Sequence, residues 1–493
     1  MRKVNIIGSG FASLSAACYL SQAGFDVSVF EKNDQLGGRA KLWKHEGFTF
    51  DMGPSWYWMP DIFERFFGDF GHKAVHFYEL VRLNPSYRVF FEDKPNVSLP
   101  ANYQEILNLF ESIEKGASAK LHSFLERCKE NYHVSMQSLV YKPGKSPFEL
   151  VTKETALKLQ EFVKTVGADV RKQFKDERLR QILEFPVLFL GAKPANTPSF
   201  YNLMNYADMV LGTWYPMGGM YEIVKAMVAI AENNGVKFHT NASVESIKVI
   251  ANKTIGIVSN GFFYESDYVL SGADYRHTEQ LLEKQYRYYS DEYWRGLTFA
   301  PSALVYYVGF DKKLQNLEHH NLFFDANFEI HSAEIYDNPK WPSKPLFYAS
   351  FPSLTDTSVA PMGKELGFFL IPIATKIDDT PEMRERYFEQ ILNRIELHTK
   401  QNLKDSILFQ RSYCINDFKQ DYNAAFGNAY GLANTLKQTA FLRPKIKSKM
   451  VENLFFTGQL TVPGPGVPPA LISGKIASNE IIKTHKKSNY ATI

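Results

Sequence analysis

The chain has 493 residues, of which 45% are hydrophobic, 15% aromatic and 22% charged, and its formal net charge is +3. This near balance of charge argues against a nucleic-acid-binding protein, which would carry a clear basic surplus, and the ordinary apolar content excludes a disordered chain. The length predicts two to four structural units whose core needs neither disulfides nor metal.

Three cysteines, Cys18, Cys128 and Cys414, lie far apart in the chain and form no C-x-x-C pair. They argue against a disulfide framework and a zinc site, and they suit a reducing, cytoplasmic compartment. The pair His319-His320 has no third ligand nearby, so no metal site is expected. No stretch approaches about 18 uninterrupted apolar residues, and we therefore expect no membrane span.

The N-terminal residues form the first candidate site. They read in order as a short strand, a glycine turn, a small-residue helix, a second strand and an acidic residue: 4–7, 8–13, 14–23, 27–30 and Glu31. This order is the dinucleotide-binding pattern, in which Gly8 permits a tight turn and Gly10 lets the backbone approach a pyrophosphate at the helix N-terminus. Glu31 is placed to accept hydrogen bonds from a ribose.

The third glycine position of this pattern holds Ser13. At that position the helix must pack closely on the strand, and only small residues are tolerated. We expect slightly looser packing here without loss of cofactor binding.

Two further glycine-containing segments follow at residues 36–40 and 51–55. Gly38 can bring a backbone N–H group to a phosphate, and Arg39 supplies a charged fork beside it. In isolation, such a segment would be a glycine-rich hairpin with a surface arginine. Its position directly after a dinucleotide motif favours a second contribution to the same site.

These motifs resemble the flavin amine oxidase and carotenoid desaturase superfamily. The run from Glu31 through Leu36-Gly37-Gly38-Arg39-Ala40 carries the resemblance at the start of the chain, residues 215–220, 236–244 and 269–274 carry it in the middle, and residues 453–468 are similar to the closing motif of bacterial phytoene desaturases. The motifs stand in the family's order and span most of the chain.

The resemblance implies non-covalently bound FAD. It places cofactor-binding positions along most of the sequence, at Gly8, Gly10, Ser13, Glu31, Lys32, Gly38, Arg39, Pro54, Ser55, Val244, Gly458, Gly466 and Val467. The glycine turn before the last helix suits this role, because it would direct N–H groups and a positive helix end at the cofactor.

The implied fold class is α/β, a Rossmann-type FAD-binding domain with an inserted α+β substrate domain. We predict that residues 1–75, 215–300 and 415–493 form a discontinuous FAD-binding domain, and that residues 76–214 and 301–414 form the substrate and membrane-docking domain. Apolar spacing predicts helices over 103–113, 121–140 and 153–183, and strands at 302–310, 345–350 and 367–371.

A basic stretch precedes the apolar segment 182–190. Its cationic residues are Lys153, Lys158, Lys164, Arg171, Lys172, Lys175, Arg178 and Arg180. Such a stretch is typical of a membrane-surface element and also of an ordinary helix with a solvated basic face. Because the resemblance implies a hydrocarbon substrate that resides in the bilayer, we expect peripheral association with the inner face of the cell membrane.

The implied reaction is desaturation of phytoene towards lycopene, with quinone or oxygen as the electron acceptor and a long apolar polyene as the substrate. We expect the flavin N5 to accept hydride, and we find no side chain with the spacing of a catalytic base. Trp56, Tyr57 and Trp214 are candidate substrate contacts, although core packing explains such aromatic residues equally well.

Several alternatives stay open at the level of the sequence. A later-step desaturase acting on a modified carotenoid would have the same motifs. A carotenoid cis–trans isomerase, which leaves the mass of its substrate unchanged, would also have them. A prenyl-lipid carrier of the same fold would not be an enzyme, and the intact Glu31 and Arg39 argue against it. A flavin amine oxidase is disfavoured because its cysteine-linked flavin motif is absent near Gly458.

Overall fold

The structure, a computed structural model, describes residues 1–137, 139–151, 155, 158–190, 193–435 and 437–490; at 150, 159–160, 188–190 and 488–490 it describes the backbone alone. The strands are β1 (Lys3–Ile7), β2 (Asp26–Phe30), β3 (Leu42–His45), β4 (Phe48–Asp51), β5 (Leu80–Arg82), β6 (Tyr87–Phe91), β7 (Val97–Leu99), β8 (Trp214–Pro216), β9 (Lys237–His239), β10 (Val244–Ile250), β11 (Lys253–Ser259), β12 (Phe262–Glu265), β13 (Tyr268–Ser271), β14 (Ser302–Phe310), β15 (His320–Phe324), β16 (Phe347–Ser350), β17 (Glu365–Ile373), β18 (Ile407–Tyr413) and β19 (Leu454–Phe456).

The α-helices alternate with these strands. They are α1 (Phe11–Gln22), α2 (Pro60–Gly68), α3 (Tyr103–Ile113), α4 (Ala117–Gln137), α5 (Leu159–Val163), α6 (Val166–Gln173), α7 (Glu177–Glu184), α8 (Leu203–Tyr206), α9 (Tyr221–Asn233), α10 (Tyr275–Gln280), α11 (Asp291–Gly296), α12 (Phe328–Tyr336), α13 (Pro381–Thr399), α14 (Ile415–Tyr422) and α15 (Val467–Tyr490).

A five-stranded sheet in the order β19-β13-β1-β2-β9 forms the first layer, and all of its strand pairs are parallel. Helix α1 crosses from β1 to β2 and packs against α9 and α15. Parallel strands buried on both faces need such covering helices. The α/β fold class is therefore confirmed, and the carboxyl ends of β1, β2 and β13 meet at one edge of this sheet.

A seven-stranded sheet in the order β18-β14-β17-β16-β15-β6-β7 forms the second centre of the molecule. Its pairs are antiparallel except for β15 with β6. The predicted strand 302–310 is confirmed as β14, and the predicted strands 345–350 and 367–371 correspond to β16 and β17.

The strands of these two sheets come from different parts of the chain. Every strand of the five-stranded sheet lies within 1–75, 215–300 or 415–493, and every strand of the seven-stranded sheet lies within 76–214 or 301–414. The division of the chain into two interleaved domains with these boundaries stays a prediction.

The prediction of one continuous helix over 153–183 is wrong. The described part of this stretch contains three short helices, α5 to α7, and Lys153 lies outside the described residues. Two helices begin at their own caps, because Thr165 Oγ1 accepts the Ala168 N–H and Asp176 Oδ1 accepts the Arg178 N–H. Side chains that cap helices compete with helix continuation, which explains why apolar spacing alone failed here.

The positive charges of the same stretch are largely offset by carboxylates. Lys164 pairs with Asp169, Arg171 with Glu184, and Arg178 with Asp176, and further pairs join Lys158 to Glu130 and Arg180 to Glu177. The expected basic amphipathic element is therefore not present as a single cationic helix face.

Candidate functional site

One large cavity opens at the carboxyl edge of the parallel sheet and continues to the face of the antiparallel sheet. Its volume is about 440 Å³, within the roughly 300–1,000 Å³ of a typical small-molecule site. Ligand sites of open α/β sheets lie at this edge, outside the carboxyl ends of the strands. The cavity has a polar half beside the parallel sheet and an apolar half beside the antiparallel sheet.

Helix α1 points its N-terminus into the polar half. Its N-cap residue is Gly10, in an extended conformation, and no side chain caps the helix. The first intrahelical bond runs from the Leu14 N–H to the Gly10 carbonyl, which leaves the preceding N–H groups available. An uncapped helix start with its positive dipole end is an anion site suited to a pyrophosphate.

Glu31 lies at the end of β2 and is 4% exposed. Its Oε2 accepts hydrogen bonds from the Ser9 N–H at 3.0 Å and the Ser9 hydroxyl at 2.7 Å, and its Oε1 accepts from the Asn33 N–H at 3.0 Å. The carboxylate therefore joins the glycine turn to the end of β2. It lines the cavity and retains acceptor capacity for a ribose.

Arg39 is a partly buried cation on the wall of the polar half. Its Nη2 donates to the Asn428 carbonyl at 3.3 Å, and its Nε has no hydrogen-bond partner among the described residues. Burial lowers the pKa of this guanidinium. A buried donor without an acceptor is costly, and a phosphate oxygen is the acceptor that suits it.

The glycine-containing segments that form this wall pack closely through their backbones. A Cβ at Gly38 would lie 3.1 Å from Gly10 Cα, and a Cβ at Gly53 would lie 2.2 Å from the Arg39 carbonyl oxygen. Residues 38 and 53 thus need glycine so that the three glycine-containing segments can converge.

The turn before α15 closes the cavity from the other side. Gly458 and Gly466 have φ values of +100° and +116°, a backbone region that favours glycine. The Gly458 N–H donates to Ser473 Oγ at 2.9 Å, which fixes the turn on α15. Neither the Gly466 nor the Val467 N–H donates to a protein atom among the described residues, so both can serve a ligand.

The structure brings together nearly all of the predicted cofactor residues. The cavity is lined by Gly8, Gly10, Glu31, Lys32, Gly38, Arg39, Pro54, Ser55, Val244, Gly458, Gly466 and Val467. Val244 and His277 lie in its lining near Lys32, at the end where β2 and β10 approach each other.

Ser13 is the exception, because it is buried beneath the site and does not line the cavity. A Cβ at Gly272 would lie 2.0 Å from Ser13 Oγ, so the close approach of α1 to the sheet is made by a glycine at the end of β13. The expectation of looser packing at Ser13 is wrong, since the space that the serine occupies is provided by Gly272.

The apolar half rests on one face of the seven-stranded sheet. Side chains of a strand alternate between its two faces, and every second residue of the central strands contributes here: Ala303, Val305, Leu322, Phe324, Tyr348, Phe368 and Leu370. Phe369 and Ile371 point to the opposite face, into a separate core with α13. We call these residues the floor of the cavity. The alternation of their side chains with a period of two residues in β14, β15 and β17 is the signal that could have located the floor from the sequence.

Trp56 is the predicted substrate residue that lines the cavity. Its ring stacks on His320 at 4.1 Å between centroids and 10° between planes, and the His320 Nδ1 is 2.7 Å from the Tyr348 hydroxyl. Burial lowers the pKa of His320 well below its usual range, which keeps the stacked imidazole neutral. This aromatic stack gives the apolar half a rigid wall beside Ser55.

Tyr57 and Trp214 do not line the cavity, so the structure gives no support to their prediction as substrate contacts. Tyr57 lies on the other side of the extended segment from Trp56, where its hydroxyl is 3.0 Å from that of Tyr78 and its ring stacks on Phe63. Trp214 pairs with Tyr57 through a backbone bridge and donates its indole N–H to the Leu211 carbonyl at 2.8 Å. Both aromatic residues stabilise the core.

Helix α12 supplies cavity residues that sequence reasoning missed, among them Phe328, His331 and Tyr336. The His331 Nε2 donates to the Pro372 carbonyl at 2.9 Å and its Nδ1 accepts the Leu346 N–H at 3.0 Å. Burial lowers the pKa of His331 to about 4. With both nitrogens engaged, this histidine orders the wall and has no free lone pair for a base.

The described residues contain no group of three or more histidine, cysteine, aspartate or glutamate side chains placed to hold a metal ion. Within the same residues, no helix has the length and apolar character needed to span a bilayer.

The polar half fits FAD on three independent observations. The α1 N-terminus is uncapped, the Arg39 Nε lacks an acceptor, and the Gly466 and Val467 N–H groups are unused by the described residues. Together these donors would meet a pyrophosphate and the polar edge of a flavin, while Glu31 would meet the ribose.

Comparison with known proteins agrees with this arrangement. Residues 11–482 match the family model of flavin containing amine oxidoreductases. The chain is 40% identical over 484 residues to a carotenoid 3,4-desaturase of Haloarcula japonica, covering 97% of this chain and 98% of that protein. It is 30% identical over 491 residues to a zeta-carotene-forming phytoene desaturase of Myxococcus xanthus, covering 98% and 94%.

The fold is also similar to a solved structure, a putative protoporphyrinogen oxidase from Exiguobacterium sp. 255-15. The TM-score is 0.62 at 15% identity, with 97% of this chain and 98% of that chain covered. At this identity the likeness supports the fold alone.

Proposed function

This chain belongs to the flavin containing amine oxidoreductases and, among them, to the carotenoid desaturases, and from that membership we propose that it desaturates phytoene towards lycopene. As a member it is an FAD-dependent oxidoreductase acting on CH–CH bonds. The observation that carries the proposal is the continuous cavity that joins the FAD half to the apolar half. A hydrocarbon without polar groups needs such a cavity, because only shape and apolar contact can hold it.

Desaturation removes a C–H hydrogen with its electron pair from one carbon and a proton from the neighbouring carbon. FAD supplies the acceptor of that electron pair when it is bound. The contribution of the chain is to hold the polyene against the cofactor edge and to exclude water. The floor residues of β14 and β17 and the stacked Trp56 are placed to do this.

No residue of the described cavity wall is assigned as the base that takes the proton. His331 is unsuited to that role because both of its nitrogens are hydrogen-bonded. The proposal therefore rests on positioning and on the cofactor, and the prenyl-lipid carrier is set aside because the chain is an oxidoreductase.

Expression in cells that accumulate phytoene tests the substrate. We expect loss of phytoene and the appearance of carotenoids with longer conjugated systems, which chromatography with absorbance detection resolves. The conjugation length gives the number of desaturation steps. Unchanged phytoene in the presence of flavin-loaded protein would contradict this proposal, and a product of unchanged mass would select an isomerase.

A later-step desaturase is the second candidate, and it is favoured by the 40% identity to a carotenoid 3,4-desaturase against 30% to a phytoene desaturase. The two candidates differ in their substrate. Cells that accumulate lycopene instead of phytoene separate them, because a 3,4-desaturase extends the lycopene chromophore and leaves phytoene untouched.

We also propose that the protein associates with the inner face of the cell membrane through four exposed apolar side chains, Phe148, Val151, Val163 and Leu442, which we call the apolar patch. These side chains are strongly exposed, with Phe148 at 81% and Val163 at 74%. The Lys445 ammonium donates to the carbonyls of Gly144 and Phe441, which joins the segment that precedes Phe148 to the segment that carries Leu442. Apolar side chains with lysines beside them suit an anionic bilayer.

Flotation with anionic lipid vesicles tests this docking. Phe148→Ser combined with Val163→Ser is expected to lower the bound fraction several-fold. Phe262→Ser is the matched control, because Phe262 is 69% exposed on the small sheet of β10, β11 and β12. Equal binding of all variants would contradict the assignment of the patch.

The reduced cofactor must be reoxidised, and we propose a quinone or oxygen as the acceptor. Anaerobic reduction of the protein followed by mixing with each acceptor distinguishes the two by the rate at which the oxidised flavin spectrum returns.

A further inference from the structure

A second arginine beside the cofactor half, Arg443, lies buried behind the turn that closes this half. It is 2% exposed. Its Nη1 donates to the Gln459 carbonyl at 3.1 Å, and its Nη2 donates to the Leu432 carbonyl at 3.1 Å and to Asn434 Oδ1. A Cβ at Gly464 would lie 3.1 Å from the same Nη2. The guanidinium thus contacts the turn of residues 458–467 from the side away from the cavity.

All acceptors of Arg443 are neutral. Its Nε has no hydrogen-bond partner among the described residues, and no carboxylate of those residues forms an ion pair with Arg443. Burial lowers the pKa of this guanidinium to about 10, so it stays charged at neutral pH. A buried charge without a counter-ion is costly, and a bound ligand with the opposite charge would offset that cost.

Arg394, the other buried arginine among the described residues, has a carboxylate partner, because it forms a bidentate ion pair with Asp325. Arg39 lacks such a pair, but it lines the cofactor cavity and meets the expected pyrophosphate. By the same reasoning, the missing counter-charge of Arg443 is expected at the flavin end of the cofactor.

We propose that Arg443 is a positioning residue that holds a positive charge behind the 458–467 turn and favours the reduced, negatively charged state of FAD over the oxidised state. The charge acts through the turn in a poorly solvated region, where electrostatic interactions are weakly screened. The inference rests on FAD as the cofactor and does not depend on which carotenoid is the substrate.

Asn434→Asp is the sharpest test, because it leaves the size of the side chain unchanged and puts a carboxylate beside the guanidinium. The pair becomes neutral while the hydrogen bonds to Gln459 and Leu432 remain. We expect the FAD midpoint potential to fall, with at least a tenfold smaller ratio of reduced to oxidised FAD at the wild-type midpoint, which equals about 30 mV for two electrons.

Two substitutions of Arg443 give an independent comparison. Arg443→Met removes the charge and is expected to lower the potential like Asn434→Asp, whereas Arg443→Lys keeps the charge and is expected to stay near the wild-type value. Spectroelectrochemical titration of the purified, FAD-loaded proteins measures all of these potentials without a carotenoid. A shared potential for the Met and Lys variants would overturn the inference.

Asn102→Asp is the charge control, because Asn102 caps α3 on the surface and its substitution adds the same net charge outside the cofactor turn. It should leave the potential unchanged. A wild-type potential for Asn434→Asp would also overturn the inference, and it would leave the assigned substrate class untouched. Wild-type protein that binds no FAD would instead overturn the cofactor assignment itself.

Discussion

Ser13 and Gly272 are packed so closely that a Cβ at residue 272 would lie 2.0 Å from Ser13 Oγ. The contact joins the first turn of α1 to the end of β13, directly below the glycine turn of the cofactor site. We expect Gly272→Ala to destabilise the protein by about 1–3 kcal/mol through overpacking and to weaken FAD binding, because α1 is displaced. Thermal unfolding and flavin fluorescence measure the two effects.

The double variant Ser13→Gly/Gly272→Ala is the control for this contact. It removes the hydroxyl that the new methyl group would meet and should recover much of the loss, less the roughly 1 kcal/mol cost of glycine in a helix. Additive effects of the two substitutions would show that the contact does not limit packing.

Glu31 joins the Ser9 N–H and hydroxyl to the end of β2. We expect Glu31→Gln to weaken FAD binding by about tenfold or more, because charge-assisted hydrogen bonds contribute about 1.5–3 kcal/mol each and the amide keeps only part of them. Equilibrium titration of the apoprotein with FAD measures this. Asp26→Asn at the other end of β2 should bind FAD normally, and equal losses in both variants would contradict a specific role for Glu31.

Trp56 forms a cavity wall by stacking on His320, whereas the adjacent Tyr57 faces the core. We expect Trp56→Ala to change the distribution of carotenoid products, since the apolar half loses a rigid wall, and Tyr57→Phe to lower stability by about 1 kcal/mol without changing the products. Chromatography of the products in a carotenoid-producing host separates the two outcomes. A changed product pattern in Tyr57→Phe would contradict the placement of the cavity.

His331 makes the protein sensitive to acid. Burial lowers its pKa to about 4 in the folded state from 6.5, so between these values the unfolded chain binds more protons than the folded chain. Stability is therefore fully present above about pH 6.5 and is lost as the pH falls towards 4, by up to about 3 kcal/mol for this group.

The measurement is the difference in unfolding free energy between wild type and His331→Gln across this pH range. Glutamine can keep one donor and one acceptor and does not titrate, so the variant should lose less stability on acidification. His277 and His319 also have pKa values lowered by burial, and some pH dependence will remain. Parallel curves for the two proteins would exclude His331 as a contributor.

The N-terminal sequence was sufficient to predict the dinucleotide site, because strand, glycine turn, helix and acid are local features that chain geometry brings together within about 30 residues. The residues Gly8, Gly10, Glu31 and Arg39 all line the cavity. The motif order along the chain likewise predicted the α/β fold class, and apolar spacing predicted the strands β14 and β17.

Contacts between distant segments of the chain could not be predicted from the sequence. Three features depend on packing between elements far apart in the chain. They are the opposing orientations of Trp56 and Tyr57, the position of Tyr336 on the cavity wall, and the space that Gly272 leaves for the Ser13 side chain. Local patterns determine which turns and strands form. The packing of the two sheets against each other determines which side chains face the cavity and which buried charge lacks a partner.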